Sequence, residues 1–116
     1  MLADITVASG DLTLTGTGGS GASADGIVLS SGTIAVSAGG LTLNGNGGSV
    51  QGTGIRGNSG VSFACLPGAN ILNLNGVGSS GSGTGSVGVG LDTIDFAGCS
   101  IYVIGTSASS GASSHG

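Results

Sequence analysis

The sequence predicts an all-β chain wound as a parallel β-solenoid, or β-helix, of about four rungs with three short strands in each. Three observations carry this expectation. The stretch Leu12-Thr13-Leu14-Thr15-Gly16-Thr17-Gly18-Gly19-Ser20 returns as Leu41-Thr42-Leu43-Asn44-Gly45-Asn46-Gly47-Gly48-Ser49, and residues 5–20 agree with residues 34–49 at ten of sixteen positions without a gap. Weaker copies follow at Leu72-Asn73-Leu74-Asn75-Gly76 and Ile101-Tyr102-Val103-Ile104-Gly105, so that residues 12, 41, 72 and 101 are spaced by 29, 31 and 29. A period in this range is the mark of a repeat architecture. Finally, the apolar residues come in short groups that alternate with Thr, Asn and Ser, the period-2 pattern of a strand with one buried face.

Composition agrees with an ordered β fold. The 116 residues hold 28 Gly, one Pro, no Trp and only 5% charged residues, with a mean hydropathy of +0.50. Disordered chains combine low hydrophobicity with high net charge, and this chain has the opposite balance. All five acidic residues are Asp, Arg56 is the only strong base, and the formal net charge is -4. One cation cannot neutralise a phosphate backbone, so nucleic acid is not an expected partner. No apolar run approaches the ~18 residues of a membrane span. The first residues, Met1-Leu2-Ala3-Asp4, lack the basic and apolar regions of a secretory signal.

Taken in order, Ile5-x-Val7 reads as a first strand, Leu12-x-Leu14 as a second, residues 16–24 as a loop and Gly26-Ile27-x-Leu29 as a third. The second round has Ile34-x-Val36, Leu41-x-Leu43 and Gly54-Ile55, the last weakened by Gly57. The third has Val61-x-Phe63, Leu72-x-Leu74 and Gly88-Val89-x-Leu91, and the fourth has Ile94-x-Phe96 and Ile101-x-Val103. The chain is thus one segment, 1–116, with rungs near 5–33, 34–60, 61–93 and 94–116. No two-residue Asn-Gly or Asp-Gly turn joins these strands as a hairpin. A three-sided coil, pairing each strand with its equivalents about 4.8 Å above and below, accounts for them.

Four inward columns are expected: Ile5/Ile34/Val61/Ile94, Val7/Val36/Phe63/Phe96, Leu12/Leu41/Leu72/Ile101 and Leu14/Leu43/Leu74/Val103. Thr13/Thr42/Asn73 and Thr15/Asn44/Asn75 face out as hydrogen-bonding ladders. Gly16/Gly45/Gly76/Gly105 and Gly26/Gly54/Gly88 are read as corner sites needing positive φ or close backbone approach.

Phrases such as Ser9-Gly10-Asp11-Leu12-Thr13-Leu14-Thr15-Gly16-Thr17-Gly18-Gly19 and Gly26-Ile27-Val28-Leu29 resemble the degenerate repeats of filamentous-haemagglutinin-like adhesins and autotransporter passengers. The resemblance covers most of residues 5–104. It implies a right-handed parallel β-helix exported to the bacterial surface as a stalk or adhesive fibre, without catalytic residues in its repeats. The chain departs from those families in lacking their N-terminal secretion region and in carrying two Cys.

Cys65 and Cys99 are 34 residues apart on consecutive rungs, just after Phe63 and Phe96. Stacked corners would bring them within reach of a disulfide, and two small buried thiols filling a corner are the other reading. Candidate chemistry is thin. Asp92 and Asp95 share a corner but lack a partnering cation, since Arg56 lies on a different rung, and solvated turn carboxylates are the simpler reading. Gly18-Gly19-Ser20-Gly21 through Asp25-Gly26 lacks the tandem copies of a calcium-binding repeat. A Thr-x-Thr ice-binding array breaks after its first rung. His115 is remote from both Cys, and no nucleophile–base pair is present, so neither a metal, a cofactor nor an enzyme activity is expected.

Leu2-Ala3-Asp4-Ile5 matches Leu91-Asp92-Thr93-Ile94, and 116 is four times 29. Joining His115-Gly116 of one copy to Met1-Leu2 of the next would complete a rung, with Leu2 continuing the column of Leu29 and Leu91. The expected function is a non-catalytic building block of an extracellular β-solenoid fibre or adhesin stalk. Its partners would be further copies, continuing solenoid, or host or matrix glycans. The alternative is a carbohydrate-binding or polysaccharide-cleaving β-helix domain using Tyr102 and the Asp pair.

Overall fold

Eleven short strands and no helix make up the described part of the chain in a computed structural model. The structure describes residues 4–65, 71–81 and 86–107, without the side chains of Asp95 and Ala97. The strands are β1 (Ile5–Val7), β2 (Leu12–Thr17), β3 (Ile27–Leu29), β4 (Gly32–Val36), β5 (Leu41–Asn46), β6 (Ile55–Gly57), β7 (Val61–Cys65), β8 (Ile71–Val77), β9 (Val89–Leu91), β10 (Asp95–Ala97) and β11 (Ser100–Thr106). They form three parallel sheets, ordered β1-β4-β7-β10, β2-β5-β8-β11 and β3-β6-β9. The chain visits each sheet once per turn, so it is a parallel β-solenoid of three full turns followed by two strands of a fourth.

The second sheet has the expected register throughout. Leu12, Leu41, Leu72 and Ile101 pair in one column, and Leu14, Leu43, Leu74 and Val103 in the next but one. Leu41, Leu43, Leu72 and Leu74 are completely buried. Each such side chain removed from water contributes about 1.5–3 kcal/mol. On the outer face, Asn75 Nδ2 donates to Asn44 Oδ1 at 2.9 Å and Asn73 Nδ2 reaches Thr42 Oγ1 at 3.4 Å, so the polar columns do bond along the axis.

The first sheet corrects two expected columns. Ile5 and Ile34 stack with Phe63 and Phe96, not with Val61 and Ile94; Val7 and Val36 stack with Cys65, not with Phe63. Val61 pairs instead with Gly32, and Ile94 lies just outside β10. A shift of two residues keeps every side chain on its original face, so burial alone does not distinguish the registers. The aromatic pair does: the Phe63 and Phe96 rings stack with centroids 5.0 Å apart and planes 9° from parallel. Val61 remains buried and Ile94 packs against the core, so both are interior residues in a different column.

The two glycine columns make the close backbone approach that was one of their two expected reasons, and none of their described members has positive φ. Gly16, Gly45 and Gly76 end the inward face of the second sheet, directly opposite the carbonyls of Gly26, Gly54 and Gly88, which open the third. A Cβ on Gly45 would sit on the Gly54 oxygen and 2.7 Å from Ile55 Cγ1. The chain leaves the coil through this neck, runs out and back as a thin flange, and re-enters beside its own exit. Flange turns bond to one another through Gly18 N to Asn46 O at 2.8 Å and Gly47 N to Val77 O at 2.8 Å. The positive-φ glycines lie at the true corners, Gly10, Gly39 and Gly98 before the second sheet and Gly32 and Gly60 at the entry to the first.

Leu43→Asp is expected to abolish folding, because it buries an unpaired charge between Leu14 and Leu74. Thr42→Asp, one residue away on the outer face, leaves the circular dichroism spectrum β-type. Gly45→Ala should lower unfolding free energy by about 1–3 kcal/mol through overpacking at the neck. Gly19→Ala, where a Cβ meets no atom within 4 Å, should change it by much less. Denaturant melts of the four variants check both comparisons.

Candidate functional site

The aspartates of the first turn hold it to the second. Asp4 Oδ1 accepts from Thr33 N at 2.8 Å, Asp11 Oδ1 from Gly40 N at 2.8 Å, and Asp25 Oδ1 from Thr53 N at 2.7 Å. The sequence offsets are 29, 29 and 28, one repeat each time. Two of these carboxylates sit at corners and the third at the mouth of the flange, where the ladder is interrupted and an amide needs another acceptor. Sequence reading left these three residues unassigned. The available signal was that each precedes by one repeat a position with a bare amide and no carboxylate of its own.

Arg56 completes the third clamp. Its Nε lies 2.9 Å from Asp25 Oδ2, and a terminal nitrogen lies 3.2 Å from Asp25 Oδ1 and 3.4 Å from Thr53 Oγ1. The Asp25 side chain is only 10% exposed while Arg56 is 46% exposed, so the fork closes over a largely buried carboxylate. Parallel stacking brings Arg56 from the second turn and Asp92 from the third into the lining of one surface depression of about 340 Å³, with Thr53, Asn58 and Leu91. The two residues therefore line one depression, and the guanidinium within it is paired with Asp25. Asp92 receives the Thr93 hydroxyl at 3.2 Å. Asp95 begins β10 in register with Ser62. Among the described residues no group of three potential metal ligands occurs.

Cys65 and Cys99 form a disulfide, with Cα atoms 5.0 Å apart. It ties the end of β7 to the corner that precedes β11, and so anchors the fourth turn to the third. The 34-residue loop it closes corresponds to a stabilisation of about 3–4 kcal/mol on the chain-entropy account. Both terminal turns therefore carry dedicated fastenings, carboxylate clamps on the first and a covalent bridge on the last.

The ends of the stack differ from its interior in how the described strands are covered. Among the described strands, β1 and β2 at one end and β10 and β11 at the other each have a neighbour on one side only. Val103, in the same inward column as the fully buried Leu74, is 49% exposed. The difference comes from position in the stack, since no described strand lies over β11. Leu91 stacks over Gly57 in the column of Leu29, its Cδ2 occupying the space that glycine leaves. Leu2, His115 and Gly116, the other expected junction residues, lie outside the described residues, as do Pro67 and Gly68.

Tyr102 stands on the outer face of β11, next in the column of Thr13, Thr42 and Asn73. Those three residues, with Asp11, Gly39, Gly40 and Ile71, line a second depression of about 340 Å³. None of the described segments is a helix long and apolar enough to cross a membrane. No family model, curated protein or solved structure matches the chain.

Asp25→Ala should cost about 1–3 kcal/mol, because it strands the Thr53 amide as well as removing the ion pair. Arg56→Ala should cost under about 1 kcal/mol, since the half-exposed guanidinium is screened by solvent. Reduction, or the Cys65→Ser/Cys99→Ser pair, should lower stability by about 3 kcal/mol while leaving the β spectrum intact. Urea unfolding with and without reductant measures all three.

Proposed function

We propose that this chain is a non-catalytic structural block of a β-solenoid fibre or stalk, extended end to end by further copies or by continuing solenoid. One observation carries the reading: an apolar column residue, Val103, stands half uncovered on β11, and among the described strands β11 and β2, the two ends of the second sheet, each have a neighbour on one side only. Open edges of this kind are a liability that solenoids relieve with a cap or with more solenoid. The clamps and the disulfide support the same reading. A turn at the end of a stack has lost one neighbour and would fray, and these fastenings hold it in strand geometry without that neighbour.

Stacking the lower edge of one copy on the upper edge of another is a heterologous contact that does not close on itself, and such contacts give filaments. A disulfide across the terminal turns suits an oxidising, extracellular setting on a cell surface. Low charge, no expected catalytic group and no phosphate-neutralising patch suit a scaffold. Its natural contacts besides itself would be glycans of a matrix or host surface.

A second reading, carbohydrate binding, rests on Tyr102. It is 64% exposed and continues a column of hydroxyl and amide groups beside the depression lined by Asp11 and Asn73. An aromatic face beside polar groups is a surface on which a sugar ring can stack.

Negative-stain electron microscopy and sedimentation of the purified chain separate the readings. The fibre reading expects filaments whose mass grows with concentration. A monodisperse monomer at every concentration contradicts it. Saturable glycan binding by that monomer, abolished by Tyr102→Ala, would favour the second reading.

A further inference from the structure

The outer column of the third sheet runs Val28, Arg56, Gly90. Gly90 is unlike the glycines of the neck. Its φ is not positive, and a Cβ placed on it would meet nothing closer than Thr53 Cγ2 and Val87 Cγ1, both at 3.8 Å. Neither backbone conformation nor packing requires a glycine here. A glycine inside a strand weakens it, and often marks a place that a ligand approaches closely. The missing side chain leaves open the depression of about 340 Å³ that Gly90 lines together with Arg56.

The polar groups around this depression are held in place. The Arg56 guanidinium is fixed by its Nε, 2.9 Å from Asp25 Oδ2, and by Nη2, which reaches Asp25 Oδ1 and Thr53 Oγ1. Nη1 has no partner among the described residues, so its two N–H groups remain for a ligand. Asn58 N donates to Leu29 O at 2.9 Å and Asp92 N to Gly57 O at 2.8 Å, which anchors both residues to the turn below. The Asp92 carboxylate accepts the Thr93 hydroxyl at 3.2 Å, and Thr93 has a φ of +40°, where a β-branched residue is strained. Polar groups that are already positioned lose little freedom when they bind.

Charge selects the class of ligand. The depression and the ion pair at its side hold two carboxylates, Asp25 and Asp92, and one guanidinium. An anion would meet Asp92 while the guanidinium is already neutralised by Asp25. A cation would meet the guanidinium. A neutral polyol suits both groups, since each hydroxyl can accept from an N–H and donate to a carboxylate. Asn58 offers an amide donor and an acceptor, and Val87 and Leu91 offer apolar surface to the C–H face of a sugar ring. The volume lies at the low end of ligand pockets, about 300–1,000 Å³, and suits one ring.

We infer that this depression is a binding site for a neutral pyranose, with Arg56 Nη1, Asn58 and Asp92 bonding its hydroxyls and Gly90 leaving room for the ring. Such a site deepens the glycan contact proposed above, on which it rests. It is independent of end-to-end stacking, because it lies on the flank of the second and third turns.

Saturation-transfer difference NMR with methyl α-glucoside, methyl α-galactoside and methyl α-mannoside observes the sugar, so it serves for monomers and filaments alike. The wild-type chain is expected to bind at least one of the three with a Kd on the order of 1 mM. Gly90→Leu, which fills the depression, and Asp92→Ala should each weaken that binding about five-fold or more, and Gly19→Ala on the flange should leave it unchanged. Gly90→Ala should give a smaller loss at an unchanged denaturant midpoint, which separates blocking from misfolding. Methyl α-glucuronide should bind more weakly than methyl α-glucoside, and tighter binding overturns the neutral class. Sugar binding that survives Gly90→Leu and Asp92→Ala but is lost in Tyr102→Ala overturns this site and keeps the glycan contact, on β11. No saturation transfer to any of the three neutral sugars overturns both.

Discussion

The rest of the fold depends on the contact between two facing glycine columns. Gly16, Gly45 and Gly76 meet the backbone of Gly26, Gly54 and Gly88 with no room for a side chain between them. That contact closes each turn while letting the chain leave and return through a narrow flange. It also fixes how the second and third sheets are aligned, because a two-residue slip of the second would drive Leu14, Leu43 or Leu74 into the neck, and a one-residue slip of the third Ile27, Ile55 or Val89. The apolar columns supply most of the free energy, but they tolerate shifts of two residues, as the first sheet demonstrates. The neck does not. Shape exclusion by absent side chains therefore sets the register that hydrophobic burial then stabilises.

A stack built this way has no intrinsic end. Among the described strands, those of the interior turns have ladder neighbours on both sides, and β1, β2, β10 and β11 on one side only. The chain compensates with groups that occur nowhere else among its described residues. Three aspartates clamp the first turn from below, and a disulfide holds the last from above. These fastenings keep free edges in strand form, the condition for recruiting another strand. The scarcity of charge has the same logic, since nearly every outward position is stacked on a similar neighbour and a repeated charge would repel itself. Thr, Asn and Ser bond to one another from turn to turn, as Asn73 does to Thr42, Asn75 to Asn44 and Thr33 to Ser62.

Most of the architecture was readable in the sequence because a 29-to-31-residue period and a 2-residue period together specify a coil and its inward faces. Leu12, Leu41, Leu72 and Ile101 needed nothing more. Val61 and Phe63 did, since both are inward and only the ring stack with Phe96 decides which continues the Ile5 and Ile34 column. The period points correctly from Ile34 to Phe63, whereas matching the first apolar residue of each strand leads to Val61. Gly57 in β6 likewise reads as a break, yet Leu91 and Ile94 fill the space beside it. At the candidate site, the Cys65–Cys99 pairing was within reach of turn spacing, but the carboxylate clamps were not. A turn aspartate has the same appearance in sequence whether it faces water or an amide one repeat ahead.

The neck itself is the most direct point of test. In solution NMR, an intact neck gives cross-peaks from the Gly45 α protons to the Ile55 side chain, from those of Gly16 to Ile27, and from those of Gly76 to Val89. The corresponding side-chain carbons lie within 2.8 Å of where each glycine's Cβ would stand. The glycine neck predicts all three sets together with the strand pairings of Leu14, Leu43 and Leu74. Finding those strand pairings without the glycine contacts would contradict it, because the sheets would then be held in register by something other than the neck.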